Sequence, residues 1–190
     1  RQAATLIKSL REEFDYPIFL NADHTYTLEG IKKAAEAGFD MVIFDGAKLS
    51  LSENIAQTKE AVEVARGINP NILVEAEIGY IGTSSKVLDA IPEGALIDEK
   101  AMPTGEISKK FVTETGVDLL APAVGNIHGM LRNSKDPALK IDRIKEIAAT
   151  TGLPLVLHGG SGTTDEDFVL AIDAGMRIIH INTEIRVAWR

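Results

Sequence analysis

The chain has 190 residues, of which 45% are hydrophobic and 25% charged, and its formal net charge is −8. This composition is typical of one globular domain with a buried core, and the acidic balance argues against nucleic acid or an anionic membrane as a partner, because both require a basic face. Cysteine is absent, which excludes disulfides, thiolate metal ligands and cysteine nucleophiles. The sequence shows no signal-peptide pattern and no long apolar run, so we expect a cytoplasmic protein.

Apolar periodicity and turn residues predict helices and strands in regular alternation. Thr27 is expected to cap the second helix and Gly38 to close it. In chain order the predicted elements are helix 1–14, strand 18–22, helix 28–37, strand 41–44, a helix from 52 or 53 to 66, strand 72–78, helix 104–115, strand 119–124, helix 140–150, strand 155–157, helix 164–174 and strand 177–181.

Strands that alternate with helices of this length require right-handed crossovers and a parallel sheet. Residues able to do chemistry follow nearly every strand, which favours an α/β fold of the (β/α)8 TIM-barrel type over the alternative, a doubly wound open sheet. The pattern accounts for about six of the eight βα units. We therefore expect two units, at the amino end, to be missing from this chain or supplied otherwise, and the last strand to lack its covering helix.

We expect residues 1–190 to form a single partial barrel domain. Within it, residues 80–103 are polar and are interrupted by Gly82, Pro92, Gly94 and Pro103, so they predict no helix of their own. A segment of this length without regular structure is typical of a mobile lid over a site.

The stretch 153–162 combines a buried strand with residues that can bind ligands. Its apolar strand 155–157 stops at His158, which would stand at the carboxyl end of a parallel strand, the ligand-binding edge of such folds. Gly159, Gly160 and Gly162 surround Ser161 and allow backbone N–H groups to turn inward around an anion. The stretch predicts a metal ligand or acid–base residue beside a phosphate cradle.

All four histidines of the chain fall in or just beyond the last residues of a predicted strand; they are His24, His128, His158 and His180. Imidazoles that converge from three strands, in a chain without cysteine, suit a zinc-like cation with one open position, as in catalytic sites. We expect His24, His128 and His158 to converge in this way. His180 lies within an apolar run, where it could equally be an interior side chain.

Carboxylates also follow these strands. Asp23 directly precedes His24, and a carboxylate beside a metal is a usual proton carrier for hydroxyl substrates. Asp45, Glu75 and Glu77 end two further strands, and Glu75 and Glu77 share a face of theirs. Their alternative role is to orient the histidines or to pair with an interior lysine.

Eight short motifs, in order along nearly the whole chain, resemble the class II, metal-dependent ketose-bisphosphate aldolases, the fructose- and tagatose-bisphosphate enzymes. The combination is highly specific although each motif is short. The motifs are Asn-Ala-Asp-His (21–24), Phe-Asp-Gly (44–46), Glu-Asn-Ile-Ala-Gln-Thr (53–58), Val-Glu-Ala-Glu-Ile-Gly (74–79), Thr-Gly-Val-Asp (115–118), Gly-Asn-Ile-His-Gly (125–129), Leu-His-Gly-Gly-Ser-Gly (157–162) and Ile-Asn-Thr-Glu (181–184).

The resemblance implies a role for each matching residue. His24, His128 and His158 would bind zinc or another divalent transition metal, with Glu77 as an alternative or outer ligand, and Asp23 would be the acid–base residue on the C4 hydroxyl of the substrate. The residues implied for the phosphate are Gly129, Gly159, Ser161, Asn182 and Thr183, assisted by a monovalent cation such as sodium or potassium.

The resemblance also implies an activity, the reversible retro-aldol cleavage of a ketose 1,6-bisphosphate. Fructose 1,6-bisphosphate is the first expectation, with dihydroxyacetone phosphate and glyceraldehyde 3-phosphate as products. The alternatives are a related metal-dependent lyase for another phosphorylated or sugar-acid substrate, and a non-catalytic barrel that serves as a binding or assembly subunit. A homo-oligomer, dimer or tetramer, is expected because open sheet edges must be covered.

Three departures from the family pattern bear on this expectation. The loop that usually supplies the residue for the C3 proton reads Tyr-Ile-Gly-Thr-Ser-Ser-Lys over 80–86. His180 stands where an asparagine is usual, and Ile178 where a lysine is usual. The arginine for a second phosphate has no match. The cations near the position of this missing arginine are Arg132, Lys135 and Arg186. The acidic candidates for the C3 proton are Asp89, Glu93, Asp98 and Glu99.

Overall fold

The computed structural model describes residues 2–190, which contain seven helices and eight strands. The helices are α1 (Gln2–Phe14), α2 (Leu28–Ala37), α3 (Leu51–Ile68), α4 (Gly105–Thr115), α5 (Ile141–Thr151), α6 (Asp165–Ala174) and α7 (Thr183–Ala188). The strands are β1 (Asn21–Thr25), β2 (Met41–Phe44), β3 (Leu73–Ile78), β4 (Val87–Leu88), β5 (Leu119–Pro122), β6 (Met130–Leu131), β7 (Leu155–Leu157) and β8 (Met176–Ile179).

The chain divides into two compact units: the first is Arg1–Ala76 with Glu114–Asp118, and the second is Glu77–Thr113 with Leu119–Arg190. In the first unit the strand order is β1, β2, β3, and the pairs are parallel. In the second unit the order is β5, β7, β8, again parallel, and β4 pairs with β6 in a small parallel sheet of its own. The predicted parallel α/β architecture is therefore confirmed.

The continuous apolar strands form the centre of each unit. Every residue of β2 is buried in the first unit, and every residue of β5 and β7 is buried in the second. Strands covered on both faces read as unbroken apolar runs, which is why β2 and β7 were predicted with their observed bounds, whereas β5 ends at Pro122 rather than at 124. These three strands contain no polar side chain, and the buried carboxylates Glu75 and Glu77 lie on β3 instead.

The two ends of α2 follow the predicted chemistry, whereas the start of α3 is shifted. Thr27 caps α2 by accepting the Gly30 N–H, and Gly38 ends it at φ +82°, a left-handed conformation that glycine adopts without strain. Helix α3 begins at Leu51, earlier than the predicted 52 or 53. The reason is a capping box in which Ser50 and Glu53 satisfy each other's backbone N–H groups.

The bounds of strand β1 differ from the predicted ones, and the difference bears on function. It spans Asn21–Thr25 rather than 18–22, so Asp23 and His24 lie inside the strand and not beyond it. Asp40 explains the late start. Its carboxylate accepts a hydrogen bond from the Leu20 N–H, and its own N–H donates one to the Leu20 carbonyl. The pairing with β2 shifts register between Ala22 and Thr25, and His24 has φ +48°. The backbone thus changes direction at His24, as it does at a β-bulge.

The carboxyl-terminal residues differ from prediction as well. Strand β8 ends at Ile179 rather than at 181, which places His180 just after it. A helix, α7, does follow this last strand, and Thr183 is its one buried residue. The segment 80–103, expected to be irregular, contributes the two-residue strand β4, and a second two-residue strand, β6, lies at Met130–Leu131. Within residues 2–190, no helix combines the length and the apolarity that crossing a bilayer would need.

Candidate active site

Three ligand-type side chains meet in the second unit. Glu77 near the end of β3, His128 after β5 and His158 after β7 each place one ligand atom within 4.8 Å of the other two. Glu77 and His158 are almost fully buried, at 2% and 1% exposure, whereas His128 is half-buried. His158 Nδ1 lies 3.5 Å from Glu77 Oε1. Parallel strands bring these residues together because their carboxyl ends share one edge of the sheet.

The backbone fixes the orientation of His128. Its Nδ1 lies 2.7 Å from the Gly82 carbonyl oxygen, a distance at which an Nδ1–H group donates a hydrogen bond. That bond selects the tautomer in which Nε2 carries the lone pair, the arrangement found for metal-binding histidines. The residue therefore has the geometry of a ligand held by an outer partner.

The turn after β7 holds His158 in place. The Asn126 side-chain amide donates a 2.8 Å hydrogen bond to the His158 carbonyl. Gly159 follows at φ +64°, and a Cβ at this position would lie 2.1 Å from the Ile127 carbonyl oxygen. The chain segments around residues 127 and 159 approach so closely that only glycine fits.

His180, for which the sequence allowed two interpretations, lies against this group. Its ring centroid is 4.2 Å from that of His158, with the rings tilted by 49°. The His128 and His158 centroids are 5.7 Å apart. His180 is thus a neighbour of the histidine cluster and not an isolated interior residue.

Ser161, Asn182 and Thr183, predicted to contact phosphate, also come together in the second unit. The buried Ser161 hydroxyl accepts the backbone N–H of Asn182 at 3.3 Å and that of Glu184 at 3.1 Å. Thr183, which stands between Asn182 and Glu184 in the sequence, is also buried. Gly129 contacts a different segment, since a Cβ there would lie 2.9 Å from the Lys86 carbonyl oxygen and 2.6 Å from Leu88.

A cavity of about 450 Å³ in the second unit has a basic lining. Ser85 and Thr183 contribute hydroxyl groups to its wall, and the Asn182 side-chain amide lies 3.5 Å from the Ser85 hydroxyl. The basic residues on the wall are Lys86, Arg132, Arg186 and Arg190. Although the chain is acidic overall, this cavity is suited to an anion.

The first unit contains the remaining predicted ligand, His24. Its Nδ1 lies 3.0 Å from Asp45 Oδ2, and its Nε2 lies 3.8 Å from Asp23 Oδ1. Burial alone would lower the pKa of His24, but the Asp45 hydrogen bond and the charges of Asp23, Asp45 and Glu75 outweigh it and raise the pKa above 6.5. This environment favours a cation at His24, either a proton or a metal.

The predicted carboxylates thus have distinct surroundings. Asp45 orients His24, as the alternative reading of the sequence allowed, while Glu75 is fully buried and acts on His24 through its charge. Asp23 remains half-exposed, with 48% of its side chain accessible. A half-exposed carboxylate beside a histidine can exchange protons with a substrate.

Sequence reasoning missed several contributors. Gly82 acts through its backbone carbonyl, which no side-chain pattern can reveal. Asn126 lies in a recognised motif, but its hydrogen bond to residue 158 depends on tertiary contact. Lys86 and Arg190 reach the cavity from distant segments.

The second unit's donor set fits a divalent cation. Two imidazoles and a carboxylate, with buried members and no thiolate, match the ligands that zinc and neighbouring transition metals prefer. The backbone bond to His128 supplies the outer partner that such sites need. The type of metal is not fixed by these donors, because several divalent ions accept the same set.

Known proteins are similar to this chain in sequence and in fold. A 6-phospho-5-dehydro-2-deoxy-D-gluconate aldolase of Shouchella clausii is 40% identical, over 91% of this chain and 55% of that protein. A fructose-bisphosphate aldolase of Staphylococcus aureus is 36% identical, over 90% of this chain and 56% of that protein. The crystal structure of the YdjI aldolase from Escherichia coli K12 superposes with a TM-score of 0.80 at 30% identity, covering 98% of this chain and 62% of that one.

These comparisons confirm the expected fold class, part of a (β/α)8 TIM barrel. The chain spans between 55% and 62% of the length of the three proteins named above. The family model described as class-II fructose-bisphosphate aldolase matches residues 1–190. The chain therefore belongs to the class-II fructose-bisphosphate aldolase family.

Proposed function

We propose that the protein containing this chain is a metal-dependent aldolase that reversibly cleaves a phosphorylated sugar. Fructose 1,6-bisphosphate, with dihydroxyacetone phosphate and glyceraldehyde 3-phosphate as products, is the first candidate substrate. The observation that carries the proposal is the group of Glu77, His128 and His158, two of them buried, which occurs in the same unit as a cavity lined by basic residues. A cation site and an anion site are the two features that cleavage of a sugar phosphate requires.

His24, His128 and His158 are the proposed zinc ligands, with Glu77 as a further or alternative ligand. His24 is included because its motif matches the family and because three carboxylates raise its affinity for a cation within its own unit. A divalent cation held by these residues would act as a Lewis acid and stabilise the negative charge that develops on substrate oxygens. Each histidine contributes a neutral donor, so the cation keeps the positive charge that this role needs.

Asp23 is the proposed acid–base residue. In the cleavage direction its carboxylate takes the proton of the C4 hydroxyl, the C3–C4 bond breaks, and the C4 carbonyl of the departing aldehyde forms. The bond electrons remain on the three-carbon half as an enediolate. The exposure of Asp23 suits this task because it can meet a substrate that enters from solvent.

The phosphate of the three-carbon half is proposed to bind at Gly129, Gly159, Ser161, Asn182 and Thr183. Ser161 supports this role, because its hydroxyl organises the backbone at 182–184 beside the basic cavity. The cavity cations add charge that backbone groups alone would not supply. A sodium or potassium ion near the phosphate is proposed to assist its binding.

The segment 80–103 is proposed to close over the site and to protonate the enediolate at C3. Two of its four candidate carboxylates already pair with arginines: Asp89 with Arg132 at 2.9 Å, and Glu99 with Arg143 at 4.0 Å. These pairs favour Glu93 or Asp98 over Asp89 and Glu99 as the proton donor, because an ion pair with an arginine holds each of the latter two carboxylates away from a substrate.

A second candidate substrate is 6-phospho-5-dehydro-2-deoxy-D-gluconate, which carries a carboxylate in place of the second phosphate. Two relatives that bear the name of the corresponding aldolase are 40% and 37% identical to this chain. Arginine binds carboxylates as well as phosphates in a bidentate manner, so the basic cavity is compatible with either substrate.

The test is a cleavage assay with fructose 1,6-bisphosphate, tagatose 1,6-bisphosphate and 6-phospho-5-dehydro-2-deoxy-D-gluconate. Each is run after EDTA treatment and again after zinc is restored, with the parent and with Asp23→Asn. Asp142→Asn serves as the matched control, because the Asp142 side chain is 98% exposed and lies on α5.

We expect zinc-dependent cleavage of one substrate, a loss of about 10²- to 10⁴-fold in kcat for Asp23→Asn with zinc retained, and no change for Asp142→Asn. An unchanged rate in Asp23→Asn would remove this residue from the mechanism. Absence of cleavage for all three substrates, in folded and zinc-loaded protein, would favour the non-catalytic alternative.

A further inference from the structure

His180 is a potential metal ligand for which the proposed function has no role. Three of the four histidines are accounted for as ligands, whereas His180 stands where the family pattern has an asparagine. Its ring centroid is 4.2 Å from that of His158, closer than the 5.7 Å between His128 and His158. One ring nitrogen of His180 lies within 4.8 Å of one of His158.

The backbone holds His180 in this position. Its N–H donates a 2.9 Å hydrogen bond to the Leu157 carbonyl, and its carbonyl accepts the Gly160 N–H at 3.0 Å. A Cβ on residue 160 would lie 3.0 Å from that same carbonyl oxygen, so glycine permits the close approach. Residue 180 is thus fixed beside the end of β7, directly next to the residue that follows that strand.

The chemistry of the pair points to a shared cation. A residue that served only to pack against His158 would need a flat ring, and an apolar aromatic side chain would provide one. Imidazole instead adds a ring nitrogen that binds zinc, copper, nickel or cobalt. The half-buried position of His180 reduces competition from water while leaving the ring accessible to an ion.

We propose that His180 is a metal ligand that binds the same divalent cation as His158. This inference rests on the proposed function, because it requires a cation at His158. Within the second unit it gives that cation a second imidazole ligand beside His158, since one ring nitrogen of each residue lies within 4.8 Å of the other. The unusual histidine would then strengthen cation binding beyond what the asparagine of the family pattern provides.

The test compares cobalt(II) binding to the metal-depleted full chain and to two variants of residue 180. His180→Phe keeps a flat ring against His158 but removes both nitrogens, and His180→Asn restores the residue usual in the family. Visible absorption of the bound cobalt(II) reports the donor set, and titration against a chelator of known affinity gives Kd. His158→Ala is the reference for loss of the site, and far-ultraviolet circular dichroism verifies folding.

Both variants at residue 180 are expected to bind cobalt(II) about 10- to 100-fold more weakly than the parent, with shifted visible bands. Parental affinity and spectrum in His180→Phe would show that the ring only packs, and would overturn the inference while leaving the proposed centre intact. Cobalt(II) binding that survives in His158→Ala, or that is absent in the parent, would overturn both the inference and the proposed metal centre. Weakening in His180→Phe with binding lost in His158→Ala would support both.

Discussion

The ion pair between Arg11 and Asp40 joins α1 to the start of β2 within the first unit. Arg11 contacts both carboxylate oxygens of Asp40, and the Leu20 N–H donates a further 2.7 Å bond to Asp40 Oδ2. Burial alone would raise the pKa of Asp40, but these donors outweigh it and lower the pKa below its ordinary value of 3.8. The carboxylate therefore contributes stability in its ionised form.

We predict that Asp40→Asn lowers the free energy of unfolding by about 1–3 kcal/mol at pH 7. Since the pKa is lower in the folded state, the contribution is complete above the unfolded pKa and disappears as the pH falls through the folded pKa. Urea unfolding at pH 7 and at pH 3 measures it, with Asp142→Asn as the exposed control. A difference between parent and Asp40→Asn that grows toward pH 3 would contradict the assignment.

Gly159 provides a second prediction at the scale of one residue. Gly159→Ala places a Cβ 2.1 Å from the Ile127 carbonyl oxygen at φ +64° and should destabilise the protein by at least about 1–3 kcal/mol. Gly67→Ala is the control, because Gly67 lies in α3 with no atom near the added Cβ. That variant should gain about 0.5–1 kcal/mol, and urea unfolding measures both. Equal effects at the two glycines would refute the close-approach argument.

At the scale of elements, the start of α2 depends on one hydroxyl group. The Thr27 hydroxyl accepts the Gly30 N–H at 3.1 Å, one of the donors that lack a partner within the helix. Thr27→Ala should cost about 1 kcal/mol in thermal or urea unfolding, whereas Thr27→Ser should cost little. A full loss in the serine variant would indicate that the threonine methyl group, and not the cap, stabilises this helix.

Helix α5 anchors the carboxyl end of the long segment 80–103. The Arg143 guanidinium donates to the carbonyl groups of Met102 and Pro103 and pairs with Glu146 at 3.0 Å, and only 13% of its side chain is exposed. The other end is attached through β4, which pairs with β6. The proposed lid is thus tethered on both sides, and closure would be confined to its middle.

We predict that Arg143→Leu leaves two carbonyl groups without their donor and accelerates amide hydrogen exchange across residues 99–105 by about tenfold or more, which corresponds to a loss of about 1.4 kcal/mol. Lys145→Leu on the same helix is the matched control, because the Lys145 side chain is 62% exposed. Unchanged exchange in Arg143→Leu would mean that other contacts hold this end of the segment.

At the scale of the whole molecule, metal binding should couple to stability. A cation that binds the folded chain and not the unfolded one stabilises it by about 2.7 kcal/mol when its concentration is 100 times Kd. Zinc should therefore raise the thermal midpoint of the metal-depleted protein, and EDTA should reverse the shift. His158→Ala should abolish this response; a zinc shift that persists in this variant would locate the stabilising site elsewhere.

Each unit has a strand with an open edge, which bears on association of the protein. Among the described residues 2–190, β1 pairs only with β2 in the first unit and β8 only with β7 in the second, so each presents backbone groups on its other side. Large apolar side chains are also exposed, including Phe19 near β1 and Trp189 after α7. We propose that the protein forms a homo-oligomer, and analytical ultracentrifugation measures the oligomeric state.

Local physical chemistry made much of this protein predictable from its sequence. The buried strands, the caps at Thr27 and Gly38 and the parallel α/β class follow from residue periods and turn chemistry that act over a few positions. The concentration of histidines and carboxylates near strand ends indicated the site, and the motifs indicated the family. These signals are readable in one dimension because each depends on neighbours in the chain.

Tertiary structure decided the rest, because those contacts join residues far apart in sequence. The Asp40 carboxylate delays the start of β1, and the Gly82 carbonyl selects the tautomer of His128. His180, which the sequence allowed as a mere interior residue, proved to lie against His158, and Lys86 and Arg190 proved to line one cavity. Residue types and spacing determined which chemistry was available, whereas strand register and loop paths determined which groups could act together.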